Sequence, residues 1–362
     1  MAKNIIIGSG ILGLSVAEYL TRSKIFPSEV KIISNENRLA GSLAAAANLA
    51  TKGQLFARDP HFHLKLEAKK YYRTWLENLL EELNTKDVTL DSIFCCATGV
   101  DHYLSEEQQK KQYKRVKQNN EELQKRNLPT DSILIGENNT VIYKDEAWVD
   151  ALQLLKILKK VLIKRSVKFE QATFDKEIYS NIVQENKCKN IIFCTGSWTK
   201  DLIKNLSITV PVEMTKERLS IGSTFYGENL IYLNNHALIE KNADDLKTKV
   251  TFSGNNKKQF LSSTTVKVKN IGYNYQNELN IANLKLIALA KEHQVNNVIT
   301  ISNEKNLNKT DGYRVGFGHS EIIISELFDN CHNIKKIVCA GAHKSGYLFA
   351  PVIGTKVQNF LC

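Results

Sequence analysis

The sequence predicts an α/β fold of two interleaved domains: a parallel-sheet domain that the chain enters three times, and a second, sheet-based domain inserted into it. Three observations predict it. An apolar strand runs straight into a glycine-rich turn and a helix near the start, Ile5-Ile6-Ile7-Gly8-Ser9-Gly10-Ile11-Leu12-Gly13. Two later apolar strands also end in small-residue turns, Asn190-Ile191-Ile192-Phe193-Cys194-Thr195-Gly196 and Lys336-Ile337-Val338-Cys339-Ala340-Gly341. The 362 residues exceed what one small core needs and suit two domains.

The first element reads as a phosphate-cradling turn. Gly8 permits the tight bend, Gly10 lets the backbone approach a pyrophosphate, and Gly13 lets helix and strand pack closely. The helix through Leu14–Leu20 points its free N–H groups and positive dipole end at the ligand. A second strand at Glu29–Ile33 completes a βαβ unit. A ribose-gripping carboxylate is expected about 20 residues past the glycines, but the strand ends at Ser34, with Asn35 and Glu36 following. No arginine follows at once to favour a 2′-phosphate.

Next comes a run of small residues from Ala40 to Ala50. Alanines favour helix, yet here, after a βαβ half, they would also let a backbone lie against a flat cofactor. Helical periodicity covers His61 to Leu83, with Leu64, Tyr72, Trp75, Leu76 and Leu79 on one side. From Asp91 to Trp148 the pattern changes to short strands, such as Ser132–Ile135, around a charged helix at 105–126. A helix at Val149–Lys164 and a strand at Val167–Phe169 resume the first domain. Residues 208–298 alternate strands and loops, with a helix near Leu279–His293. The closing strand is followed by Gly346–Pro351 and an apolar helix. These changes assign 1–90, 148–207 and 314–362 to the first domain, and 91–147 and 208–313 to the inserted one. No repeat or low-complexity tail appears.

Net charge is +11, from 49 Lys+Arg against 38 Asp+Glu, which raises a polyanion as partner. The densest basic run, Lys110–Lys117, is followed by Glu121 and Glu122 and reads first as a solvated helix face. No run of about 18 apolar residues is present to span a membrane. The first strand begins almost at Met1, leaving no room for a signal peptide. The seven cysteines show no CxxC or CxxH spacing and several sit in apolar strands, as reduced buried thiols do. A reducing, cytoplasmic setting is expected, with no metal site.

In this order, Gly8–Gly13, Gly41–Asn48, Trp148-Val149-Asp150, Cys194–Trp198, Asp311-Gly312-Tyr313-Arg314 and Gly341–Pro351 resemble the FAD-dependent D-amino-acid oxidase and glycine oxidase family. The resemblance runs over nearly the whole chain. It implies a Rossmann-like FAD-binding domain with an inserted, mainly antiparallel β-sheet substrate domain, as in glycine oxidases. By that resemblance Gly8, Gly10, Ile11, Leu12 and Gly13 meet the pyrophosphate, and Ser34 and Asn35 the adenosine ribose. Gly41, Ser42, Ala46, Ala47 and Asn48 would line the flavin. Thr195, Gly196 and Trp198 belong to the cofactor set as well. Gly341, Ala342, His343, Ser345, Gly346, Tyr347 and Leu348 would close over the flavin's pyrimidine end.

The resemblance also implies the chemistry. A flavin N5 accepts hydride directly, so no catalytic side chain is obligatory. Arg314 would hold the substrate carboxylate as a bidentate pair. Read alone, it is equally a surface arginine in a polar loop. Tyr232 would help hold the same carboxylate, though a tyrosine in an apolar strand also suits a core. Lys344 would lie near the substrate or in solvent. The implied reaction oxidises the C–N bond of an amino acid or N-substituted glycine, with oxygen or another acceptor taking the electrons. Two alternatives stand beside it: an oxidase acting on a carboxymethylaminomethyl group of tRNA wobble uridine, and a degenerate FAD-binding subunit of a larger complex. The latter is motivated by departures from the family pattern, Ser34 for a carboxylate, Ala47 and Ser262 for glycines, and Val315 for a proline. Oligomerisation is left open.

Overall fold

A computed structural model describes residues 3–22, 29–36, 39–45, 47–49, 61–103, 106–128, 130, 133–136, 140–227, 230–232, 237–243, 246–254, 259–262, 266–271, 275, 277–281, 284, 299–301, 308–318, 322–329, 333–342 and 345–361. Its first sheet joins β1 (Asn4–Ile7), β2 (Val30–Ser34), β6 (Lys168–Gln171), β7 (Asn190–Phe193), β16 (Ile323–Leu327) and β17 (Lys335–Ala340) in the order β16-β17-β7-β1-β2-β6. All neighbours are parallel except β16, which runs antiparallel to β17.

Alternation along these strands serves two cores. Ile6, Ile32, Ile192 and Ile337 face one side, and Ile5, Ile7, Ile33, Phe193 and Val338 the other. The first side is covered by α1 (Ile11–Arg22), α2 (Phe62–Leu83), α5 (Ala151–Lys164) and α8 (Gly346–Gln358). The second is covered by α6 (Lys176–Glu185) and α7 (Thr199–Asn205). Burial on both faces is why the strands read as continuous apolar runs. The sheet diverges at β1, whose neighbours are β2 and β7. Ligands of open α/β sheets bind at such a switch point, beyond the strands' carboxyl ends.

The second sheet is formed by β3 (Phe94–Tyr103), β4 (Ile133–Ile135), β5 (Thr140–Val149), β8 (Glu217–Gly227), β10 (Ala237–Ala243), β11 (Leu246–Gly254), β12 (Gln259–Ser262), β13 (Val266–Val268) and β15 (Asn308–Phe317). Its order is β13-β8-β12-β11-β10-β3-β5-β4, with β15 also on β8. Every described pairing is antiparallel except β10 with β3. A separate antiparallel pair joins β9 (Leu230–Tyr232) to β14 (Ile299–Ile301). The charged helix, α4 (Glu106–Lys125), buries Val116 and Leu123 beside Val141 and Tyr143 of β5. It turns Lys110, Lys111, Lys114 and Lys117 outward. The short α3 (Leu90–Ile93) leads into β3. No helix among the described residues is long and apolar enough to cross a membrane.

Candidate functional site

The glycine turn lies at the carboxyl end of β1, between the starts of α1 and the segment after β7. Gly8 has φ +108°, and a Cβ there would meet the Cys194 carbonyl oxygen at 2.4 Å. A Cβ on Gly13 would lie 2.0 Å from the Gly8 carbonyl oxygen, so helix and strand touch through bare backbone. No acidic residue occupies the first turn of α1, leaving its dipole end uncompensated from its own sequence. The Ile11 N–H donates to Ser42 Oγ at 3.0 Å, and a Cβ on Gly10 would sit 3.0 Å from the same hydroxyl. Above Gly196, at φ +59°, a Cβ would meet nothing within 4 Å. This backbone cradle and its helix end fit a dinucleotide pyrophosphate.

Among its described residues the alanine-rich segment is not helical: Gly41–Ala44 forms turns, and contacts from several elements hold it in place. Tyr313 N donates to Leu39 O (2.9 Å), and Ala40 bridges Tyr313 in the parallel sense. The Tyr347 phenol donates to the Ser42 carbonyl at 2.7 Å, with the Ala151 carbonyl at 3.3 Å. Burial first, then Tyr72 and Asp150 nearby, push that phenol well above its ordinary pKa and keep it a neutral donor. Thr224 Oγ1 donates to the Ala44 carbonyl at 2.8 Å. Val149 N donates to Ala47 O at 3.2 Å, and Asn48 bridges Trp148. These bonds consume the carbonyls an alanine helix would use. Tertiary pairing thus overrides propensity. The segment meets both sheets, α1 and the start of α8.

Arg314 stands on β15 directly over this segment. Its Cγ is 3.5 Å from where a Cβ on Gly41 would be, and its Nη2 donates to the Ala44 carbonyl at 3.0 Å. The side chain is half-buried and no carboxylate pairs with it among the described residues. Burial alone pulls its pKa below the ordinary arginine value, and no anion among the described residues pulls it back. Guanidinium remains charged all the same. A sheltered cation with no counter-ion among the described residues matches an anionic ligand, because a buried charge left unpaired is costly.

The other expected residues divide. Gly341 (φ +83°) is packed on Phe317, where a Cβ would meet Cδ2 at 2.5 Å. Ala342, Ser345 and Leu348 are buried, and a Cβ on Gly346 would sit 3.4 Å from Ile11 Cγ2, beside the start of α1. Thr195 Oγ1 donates to Thr199 Oγ1 at 2.9 Å. Trp198 turns toward the inserted sheet, its ring edge-on to Tyr313 at 6.0 Å. Ser34 is buried at the end of β2, and Asn35 Nδ2 donates to Thr173 Oγ1 at 2.8 Å. Glu36 pairs with Lys159 at 2.5 Å. Tyr232 ends β9 opposite Ile299. Its side chain, and Ala46, His343 and Lys344, lie outside the described residues. Among those residues no group of His, Cys, Asp and Glu could hold a metal.

Sequence reasoning missed Thr224. It also missed the reason for Gly312, where a Cβ would meet the Ala40 carbonyl oxygen at 2.6 Å and Ala44 Cβ at 2.9 Å. Gly312 stands within the quoted Asp311–Arg314 motif, so a signal for close backbone approach was present. Nothing near Thr224 marks it.

The sequence matches the family model of FAD-dependent oxidoreductases (DAO) over residues 3–222. No curated protein matches it. Among solved structures, glycine oxidase from Bacillus cereus is similar at TM-score 0.67 and 16% identity, covering 100% of this chain and 95% of that one. Glycine oxidase from Geobacillus kaustophilus is similar at TM-score 0.71 and 12% identity, covering 99% and 94%. FAD-bound L-α-glycerophosphate oxidase from Mycoplasma pneumoniae is similar at TM-score 0.64 and 15% identity, covering 99% and 94%. At these identities the likeness is one of fold.

Proposed function

Because the chain belongs to the DAO family of FAD-dependent oxidoreductases, we propose that it oxidises the C–N bond of a small amino acid or N-substituted glycine held by its carboxylate on Arg314. The observation that carries this reading is the sheltered Arg314 guanidinium, which has no carboxylate partner among the described residues and lies over the loop that also reaches the α1 N-terminus. In this reading residues 1–90, 148–207 and 314–362 make up mainly the cofactor-holding domain and 91–147 and 208–313 the substrate-covering one, with Arg314 at the boundary, on β15 of the second sheet.

FAD, when bound, supplies the hydride acceptor. Gly8–Gly13 and the α1 N-terminus would take its pyrophosphate, with Ser34 and Asn35 near the adenosine ribose. Gly41, Ser42, Ala46, Ala47 and Asn48 would face the flavin, with Thr195 and Gly196 on one side and Ala342–Leu348 on the other. Arg314 orients the substrate: its planar fork matches a planar carboxylate bidentately and so fixes which hydrogen on the neighbouring carbon is presented. Tyr232 and Lys344 belong to the proposal as further contacts to the substrate. Two of the structural neighbours are glycine oxidases, which supports an amine donor.

The test is the visible spectrum of the FAD-loaded protein under anaerobic addition of amino acids and N-substituted glycines. Bleaching is expected with at least one, and R314L should lower kcat/KM for it by roughly a hundredfold or more. An R314L protein as active as the parent, or a loaded protein that no such amine bleaches, would overturn the reading.

A further inference from the structure

Resting on that role for Arg314, we infer that Thr224 is a positioning residue for the carboxylate-binding cation, acting through the Ala44 carbonyl. A carbonyl oxygen has two lone pairs. Here one receives the buried Thr224 hydroxyl at 2.8 Å and the other Arg314 Nη2 at 3.0 Å. Ala44 is itself fully buried, so water does not compete for that oxygen.

The strand register shows how the two side chains reach one atom. In the β8–β15 pair Thr224 faces Thr310, Gly222 faces Gly312 and Ser220 faces Arg314. Register partners share a face of the sheet, and so do alternate residues of each strand. On this face only the glycine pair lies between the Arg314 and Thr224 levels. The bare patch is filled by Ala40–Ala44, the segment a Cβ on Gly312 would strike. Arg314 spans the patch from one end and Thr224 supports the far end.

Arginine has many rotamers, and a fork that is not held in place must be ordered by each incoming ligand. An acceptor fixed in direction by Thr224 holds the guanidinium plane before the ligand arrives. The opposite face of the same strands has its own polar set, Ser223 to Asp311 at 2.5 Å and Asp311 to Lys309 at 3.1 Å. Thr224 is thus assigned to the site and Ser223 to the sheet.

The probe is acetate, titrated calorimetrically into the FAD-loaded parent, T224V, T224S and R314L proteins. T224V keeps the shape and loses the donor; its acetate dissociation constant should rise about five- to tenfold, the worth of one hydrogen bond. T224S should stay within about twofold of the parent. KM for an amine substrate should follow acetate in T224V while kcat and FAD retention are unchanged. Should T224V not fold, T224A carries the same expectation. Parent-like acetate binding in T224V overturns the inference. So does an equal loss in T224S, or loss of FAD in step with acetate, since either marks a packing role. If R314L binds acetate like the parent, or the parent binds none, the carboxylate reading of Arg314 itself falls. If R314L loses acetate and T224V does not, only the role of Thr224 falls.

Discussion

Ala47 shows what a single residue can and cannot reveal before a structure is known. The sequence marks it as a departure, an alanine where the resemblance favours glycine. The structure supplies the reason that the position matters: its φ is +48°, in the left-handed region, with the side chain buried. An L-residue there costs about 1–2 kcal/mol. Glycine would relieve that cost but return about 0.4–1 kcal/mol of unfolded-chain entropy. A47G should therefore stabilise the apo protein by about 0.5–1 kcal/mol, read as a higher urea midpoint with an unchanged m-value. A lower midpoint would mean that the buried methyl group outweighs the backbone term. Arg314 was legible only through its motif, because by composition it is one of 49 Lys+Arg. Thr224 was not legible at all, since its partner is a backbone carbonyl from a remote segment.

At the scale of elements, those with strong periodicity were legible to within a few residues. The α2 pattern expected over 61–83 is a helix at Phe62–Leu83, burying Tyr72, Trp75, Leu76 and Leu79. It also buries Lys65, which no apolar pattern could announce. Asp150 caps α5 by accepting from Gln153 N at 3.0 Å, so that helix starts at Ala151, two residues past the expected Val149. The alanine segment was less legible, because propensity speaks for helix and only its position spoke against. Contacts between elements left no pattern. A Cβ on Gly354 of α8 would lie 2.1 Å from Tyr19 Cβ of α1, so these helices cross at a glycine. Alanine gains about 1 kcal/mol of helix propensity over glycine, but forcing the helices apart costs about 1–3 kcal/mol or more. At that separation the clash wins. G354A should unfold at lower urea than the parent while its far-ultraviolet circular dichroism is retained; a stabilised G354A would show that the crossing can slide.

At the scale of the whole molecule, the interleaving of chain segments was legible from three strand–turn patterns, because parallel strands buried on both faces write continuous apolar runs. What ties the segments together was not. Glu18 of α1 is buried and accepts from Trp75 Nε1 of α2 at 3.0 Å, from Arg22, and from Arg165 after α5 at 3.1 Å. Arg165 also pairs with Glu82. Only the Glu18–Arg22 spacing of four could be read from sequence. The network makes a pH prediction. The Arg165 hydrogen bond is the largest influence on Glu82, and with the lesser charge effects of Arg165, Lys164 and Arg22 it holds the carboxyl below the usual pKa against burial, which ranks second and acts the other way. A carboxyl depressed in the folded state adds stability above its unfolded pKa of about 4.3, and that stability is lost as pH falls through the folded value. Glu82 lies at the rim, where solvent screens the pair, so E82Q should cost no more than about 1 kcal/mol at neutral pH. The gap between E82Q and the parent in urea unfolding should close as pH drops below about 4. A gap of the same size at low pH would place the contribution of Glu82 in packing, and would leave Glu18 as the carboxylate that binds the first and third helices of this face through charge.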